Sequence, residues 1–445
     1  MTEYFWPLAM LAGLVLGIFS GYPVAFVLSG IGILFAVLAG VPMLFLSTGV
    51  SRIYSGILTN WLLIAIPLFV FMGLMLERSG VAERLLKTLA ALFGRVPGGY
   101  AFAVAIIGLI MAASTGIIGA SVVLMGMIAL PAMNKANYDP RISTGLIAAS
   151  GTLGILLPPS IMLIVLGDQL RISVGDLFIG AIGPGLLLVA LYILYLIAIA
   201  IFQPHRMPPS EHERAPDLGT AALRLIRDLL APALLITAVL GTIVMGVATP
   251  TEAAAIGAAG ALFLALISGK LNLETLRTSL RDTTKTTAMI IFVMIGATIF
   301  SVIFRRLGGD EMVIHAFDAL GTGPYFVLFV IMALVFILGF FLDWVEIALV
   351  VVPLVAPVVA NLDFGMPQGQ VLAWFAIALA VNMQTSFLTP PFGYALFYLR
   401  GVAPDVSIGT IYRGIIPFVL LQLLALALVI ALPQISLWLP SYLSK

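Results

Sequence analysis

The chain has 445 residues, of which 62% are hydrophobic and 9% charged, with a formal net charge of +1. Soluble proteins carry roughly 25% charged residues, so this composition, with a mean hydropathy of +1.19, excludes a soluble enzyme and predicts an all-α polytopic membrane protein. The charge gives no reason to expect nucleic acid as a partner, and without cysteine there is no disulfide framework, thiolate metal site or thiol nucleophile.

The start, MTEYFWPLAM, lacks a basic n-region and a small-residue cleavage site, so the first apolar stretch reads as a retained helix. Apolar segments at 6–20 and 22–40 meet at a turn, a more polar stretch covers 41–60, and a third span follows at 62–77. After a charged arm at 81–95 comes AFAVAIIGLIMAASTGIIGASVVLMGMIALP, two apolar arms around a small, polar tip. Each arm holds roughly 15 residues where a crossing needs about 20, which predicts a re-entrant hairpin at about 100–132. The segment 143–167 is apolar but interrupted by Pro158-Pro159, and 177–202 completes the half. Adjacent prolines remove a backbone donor and clash with the preceding turn, so they open the helix.

A polar connection at 204–228 leads to segments that repeat this order. They are spans at 229–247 and 251–268, a polar stretch at 270–287 that reads as an interfacial amphipathic helix, a span at 288–304 and an arm at 310–321. A second hairpin at about 324–358, a helix at 370–399 broken by Pro390-Pro391 and a span at 411–432 follow. Residues 17–40 lie over 246–269 without a gap, an offset of 229 (246 less 17). Pro97 then matches Pro324, Pro131 matches Pro357, Pro158 matches Pro390 and Pro184 matches Pro417, with offsets that drift only between 226 and 233. The chain therefore reads as two repeats, 1–203 and 229–445. Five crossings and one hairpin per repeat make an odd count, so the second repeat is inverted relative to the first, with about ten crossings plus two re-entrant hairpins in all.

Paired interrupted helices are the best sequence pointer to a transporter site, because an opened backbone is tolerated in a membrane only against protein or a cavity. The first tip offers Ser114, Thr115, Gly116, Gly119 and Ser121, either as oxygen ligands or as small residues for helix packing. The second offers Asp343 and Glu346, placed either deep in the membrane or among solvated headgroups. At the breaks, Thr152, Gly154, Pro158, Pro159 and Ser160 answer Thr385, Ser386, Thr389, Pro390 and Gly393. Opened carbonyls and hydroxyls suit sodium, and half-helix N-termini suit an anionic substrate. Asp168 and Gln169 are either functional or a polar exit from the first broken segment. Thr249-Pro250-Thr251-Glu252 reads as a structural capping box. His205, His212 and His315 do not cluster, so a histidine metal or catalytic site is not expected. The only Gly-Lys, Gly269-Lys270, has Leu264 at the earlier glycine position and Leu271 after it, so the chain has no phosphate loop and its drive must come from an ion gradient or another protein.

Four stretches carry a family resemblance: AIPLFVFMG at 65–73, GILLPPSIMLIV at 154–165, ATPTEAAA at 248–255 and LTPPFG at 388–393. With them the chain resembles, essentially end to end, the large membrane subunit of the tripartite ATP-independent periplasmic (TRAP) transporters. The resemblance implies a sodium-driven importer of organic anions, usually carboxylates, in the bacterial inner membrane. It implies an elevator motion in which hairpins and broken helices move against a scaffold. It implies two partners, a small four-helix membrane subunit and a soluble periplasmic substrate-binding protein, and no cofactor beyond the coupling sodium ions. Carried onto this chain, it places sodium ligands at 114–121 with 154–158, and around Asp343 with 385–390. FLDWVEIAL departs from the commoner members in its bulky Trp344 and the extra acid Glu346, while LGDQL and QTSFLTPPFGYALFYLRGVAP resemble a branch linked to 2-oxo acids or related carboxylates, such as hydroxy acids. Two other readings compete. One is a self-sufficient sodium–carboxylate symporter. The other is an intramembrane enzyme, which would need an activated nucleophile, although Ser114 and Ser160 have no histidine in their stretches.

Overall fold

The computed structural model describes residues 4–93, 96–116, 118–209, 218–319, 323–390 and 393–443; His212 and Pro391 lie outside them. All regular structure among these residues is helical. Helices α1 (Phe5–Phe19) and α2 (Val24–Leu38) form a pair, followed by α3 (Met43–Ile53), a π turn (Tyr54–Leu58) and a 3-10 turn (Trp61–Ile64) capped by the Asn60 side chain. Then come α4 (Ala65–Arg78), the arm α5 (Val81–Phe93), the first hairpin α6 (Gly99–Thr115) and α7 (Ile118–Lys135), α8 (Pro140–Thr152), α9 (Ile161–Leu170) and α10 (Val174–Phe202). The order resumes with α11 (Leu218–Val244), which begins inside the polar connection, α12 (Pro250–Ile267), α13 (Leu273–Arg306) and the arm α14 (Gly309–Asp318). The second hairpin is α15 (Pro324–Leu338) and α16 (Trp344–Glu346), which runs through a π turn (Ile347–Val351) into α17 (Val352–Asn361). Helices α18 (Gln368–Leu388), α19 (Tyr394–Val402), α20 (Ile408–Ala431) and α21 (Gln434–Leu443) complete the chain.

One difference from the sequence reading concerns α13. The polar stretch 270–287 and the span 288–304 are not separate elements but one helix of 34 residues. No glycine or proline interrupts it before Gly296, whereas its counterpart contains Gly49 and Gly56 and stops at the Asn60 cap. At 1.5 Å per residue it is about 50 Å long against roughly 30 Å of hydrocarbon, so its charged first turns reach past the apolar layer. Nine helical stretches among the described residues are long and apolar enough to span a membrane, including the second arm of each hairpin. Helices α1 and α2, at 15 residues each, fall short of that length.

The halves exchange contacts. Helix α2 packs on α13 and α12 on α4; α8 packs on α20 and α18 on α10; α19 packs on α7 and α9 on α17. The centre is formed by the interrupted segments. Every residue from Ile142 to Gly167 is buried, as is every residue from Trp374 to Leu388. Leu16, Phe19, Phe263 and Phe329, on outer helices, are instead exposed, as lipid-facing side chains are.

Thr249 accepts from the Glu252 N–H and the Glu252 carboxylate accepts from the Thr249 N–H at 2.8 Å, the reciprocal cap that opens α12. The Thr251 hydroxyl donates to the Trp61 carbonyl at 3.0 Å, which ties this cap to the entrance of α4. Thr249→Ala is expected to destabilise the helix start by about 1 kcal/mol. A thermal melt in detergent should register a modest loss, and Thr249→Asp should restore it.

Candidate functional site

The first tip is a left-handed helix end. Helix α6 closes at Thr115 and Gly116 follows at φ 60°, a conformation that L side chains rarely adopt. Ser114 and Thr115 occupy the last turn of α6, and their side chains lie outside the described residues. A Cβ on Gly116 would lie 3.6 Å from the Pro159 carbonyl oxygen, so this tip rests on the first break. Gly119, at the start of α7, faces the Tyr398 ring of α19 so closely that a Cβ would sit 2.7 Å from it. Ser121 is buried two residues further on.

The first break starts before its prolines. Helix α8 gives way at Thr152 to a 3-10 turn (Leu153–Ile155) containing Gly154, and Pro158-Pro159 is a cis peptide. Ser160 caps α9 by accepting from the Leu163 N–H, while its hydroxyl donates back across the break to the Ile155 carbonyl. Its donor is therefore occupied, and only oxygen lone pairs remain for a ligand.

The second half shows the same assembly with different side chains. Asp343 is the N-cap of α16 and accepts from the Trp344 N–H at 2.8 Å. A Cβ on Gly339 would lie 2.2 Å from the Ser386 Oγ, so this tip rests on the second break. Helix α18 runs to Leu388 and Thr389 is extended. Pro390 is half-buried, and Gly393 reopens the chain into α19. The hydroxyls of Thr385, Ser386 and Thr389 donate to the carbonyls of Val381, Met383 and Thr385 at 2.8–2.9 Å. Such back-bonding leaves each oxygen free to accept, which is what an alkali cation asks of a hydroxyl.

These parts converge. Helix α16, which carries Asp343 at its cap, touches α9, and α7 touches both the 3-10 turn of the first break and α19. Glu346 lies one turn beyond Asp343, near enough for the two charges to interact, and also borders a different space. Its Oε2 is buried with no hydrogen-bond partner, and the side chain borders an apolar cavity of about 390 Å³ beneath α1, α2, α14 and α15. Asp168 is also elsewhere: it accepts from Asn60 Nδ2 at 2.7 Å and Gln169 Nε2 at 3.1 Å at the edge of a separate polar cavity. Among the described residues no three His, Asp or Glu side chains gather as a metal cluster. A cation held here would be ligated by carbonyls, hydroxyls and one carboxylate, a donor set that fits sodium better than a transition metal.

Sequence reasoning missed a polar contact across the middle of the molecule. Gln422 of α20 donates to the Tyr192 hydroxyl of α10 at 2.8 Å and to Thr152 Oγ1 at 3.3 Å. Gln384 of α18 is fully buried, and its amide atoms have no partner within hydrogen-bond geometry. The available signal was Gln422, a lone glutamine inside an apolar run, and Gln384 in the polar patch 382–386 of an otherwise apolar helix, both rare choices in a membrane helix.

Known proteins resemble this chain in sequence and in fold. The family described as "Tripartite ATP-independent periplasmic transporter, DctM component" matches residues 11–435. The chain is 30% identical to the C4-dicarboxylate TRAP transporter large permease protein DctM of Vibrio cholerae, over 98% of each chain. It is also 30% identical to the sialic acid TRAP transporter large permease protein SiaM of the same organism, over 95% of this chain and 96% of that one. The crystal structure of the Alcanivorax borkumensis YdaH transporter superposes with a TM-score of 0.58 at 17% identity, covering 90% of this chain and 88% of that one, a likeness of fold. A multi-pass helical chain matched along almost its whole length, with its two interrupted helices buried under hairpin tips, belongs to the TRAP transporter family as a large permease subunit.

Proposed function

We propose that this subunit imports a small organic anion, a carboxylate such as a 2-oxo or hydroxy acid, driven by sodium. It works with a small four-helix membrane subunit and a periplasmic binding protein in the bacterial inner membrane. The observation that carries this reading is the duplicated assembly of hairpin tip on opened helix, Gly116 against Pro159 and Gly339 against Ser386. Each assembly offers carbonyls released from the helix ladder beside hydroxyls whose donors are already used. Sodium would be held at 114–121 with 154–158 and around Asp343 with Thr385, Ser386 and Thr389, the substrate carboxylate taking the N–H groups at the half-helix starts. The exchanged contacts between the halves suit two repeats related by a two-fold axis in the membrane plane, 1–203 and 229–445, with hairpins and broken helices moving as one body. The C4-dicarboxylate and sialic acid carriers among the relatives are both organic-anion proteins by name, which supports the substrate class without choosing the acid.

Reconstitution tests this. Proteoliposomes holding both membrane subunits are expected to take up labelled acid only with the cognate binding protein outside and an inward sodium gradient. Uptake equal in potassium overturns sodium coupling. Uptake by this chain alone would favour the self-sufficient symporter.

A further inference from the structure

The polar cavity beside Asp168 has a volume of about 670 Å³ and lies between α3, the end of α9, α13 and the π turn of the second hairpin. None of the tip or break hydroxyls lines it. Three guanidiniums do, and they come from distant parts of the chain: Arg52 of α3, Arg171 after α9 and Arg305 near the end of α13. Only Arg305 has a carboxylate partner among the described residues, Asp310 at 3.3 Å. The single acid in the wall, Asp168, already accepts two amide N–H groups, from Asn60 and Gln169, and forms no salt bridge with the three arginines, although Arg171 is near enough to act on its charge. Ser55 and Ser301 add hydroxyls to the wall. Arg171 also holds a left-handed backbone, φ 54°, where a helix end normally takes glycine or asparagine. An L residue kept there at a backbone penalty points to a use for its side chain.

We infer that this cavity is a second anion-binding site, outside the tips and breaks, for a doubly charged oxyanion. Two guanidiniums without a salt bridge, Arg52 and Arg171, beside a third shared with Asp310 and one hydrogen-bonded acid, favour an oxyanion that accepts from two guanidiniums at once, as carboxylate and phosphate groups do. A dicarboxylate or sulfate-like solute and the phosphate of an anionic lipid share this chemistry. The cavity touches both the helix after the first break and the arm behind the second tip, so its occupant lies beside the proposed transport path.

The natural absence of cysteine makes the site measurable. Ser301→Cys, in the full chain co-purified with its small subunit in nanodiscs, is treated with an anionic and a cationic methanethiosulfonate, each rate divided by that on glutathione. In purely zwitterionic lipid the anionic reagent should be favoured about tenfold, which for reagents of opposite unit charge is a potential of roughly 1 kT at the thiol. Sulfate and succinate should slow modification where acetate at equal ionic strength does not. Arg52→Gln with Arg171→Gln should bring the ratio close to one and abolish the protection. If phosphatidylglycerol discs alone lose the preference and sulfate does not protect, the occupant is a headgroup phosphate at the same oxyanion site. A ratio near one in the parent, or protection that survives loss of both arginines, overturns the site. The rates are read without a sodium gradient or binding protein, so a failure of sodium-driven uptake and a failure of this site are separate results.

Discussion

Asp343→Asn is expected to raise the sodium concentration for half-maximal uptake at least tenfold while leaving membrane insertion and thermal stability near the parent values. Asparagine caps a helix about as well as aspartate, so the bond from the Trp344 N–H survives the exchange. What disappears is the charge, and a tenfold change in sodium affinity corresponds to about 1.4 kcal/mol. Glu346→Gln is the internal control. The Glu346 Oε2 has no hydrogen-bond partner and its side chain borders an apolar cavity, but its charge acts on Asp343, so an amide there should shift sodium activation much less than Asp343→Asn does. Sodium bound to the folded state also raises the melting temperature by mass action. That rise should shrink in Asp343→Asn and persist in Glu346→Gln. Unchanged sodium activation in Asp343→Asn would remove this carboxylate from the site.

The breaks were legible because Pro158-Pro159 and Pro390-Pro391 stand inside apolar runs at matching places, and proline acts on its own neighbourhood. The paired arms were legible from their small or polar tips but not from arm length, because the second arm of each is 18 residues, long enough to span a membrane. Which tip presses on which break was not, because Gly339 and Ser386 are 47 positions apart (386 less 339) and only packing brings them within contact. The continuity of α13 was hidden by its composition: a charged amphipathic half and an apolar half look like two elements, and only the lack of a helix breaker joins them. Glu346 and Asp343 look alike in FLDWVEIAL, yet one helical turn gives them different surroundings, a cap for one and an apolar wall for the other. The arginine-lined cavity was invisible for the same reason as the tip contacts. Arg52, Arg171 and Arg305 each read as an ordinary charge at a helix end until the fold sets them around one space.

Gly145 and Gly414 should be among the least replaceable glycines for stability. A Cβ on Gly145 would lie 2.2 Å from the Gly414 carbonyl oxygen, and one on Gly414 would lie 2.3 Å from the Arg141 carbonyl oxygen. Helices α8 and α20 therefore meet backbone to backbone. In a bilayer, where no hydrophobic drive remains, helix association rests on such close packing. Neither neighbour is a side-chain tip that can rotate aside, so one methyl group must push the helices apart. Gly145→Ala and Gly414→Ala are each expected to destabilise by about 1–3 kcal/mol, the usual range for overpacking. The double variant should fall short of their sum, since once the helices separate the second methyl meets little resistance. Gly241→Ala in α11 is the matched control: nothing lies within 4 Å of its Cβ position, and alanine favours the helix. Thermal unfolding in detergent of the four proteins checks the pattern. The consequence for transport follows from position: α8 leads directly into the break at 153–160, and α20 holds it through Gln422 on Thr152. The two glycine variants should lose uptake more steeply than folded protein, because a displaced α8 moves the opened carbonyls off the tip at Gly116. Uptake that tracks folded protein one for one would restrict this contact to a purely structural role.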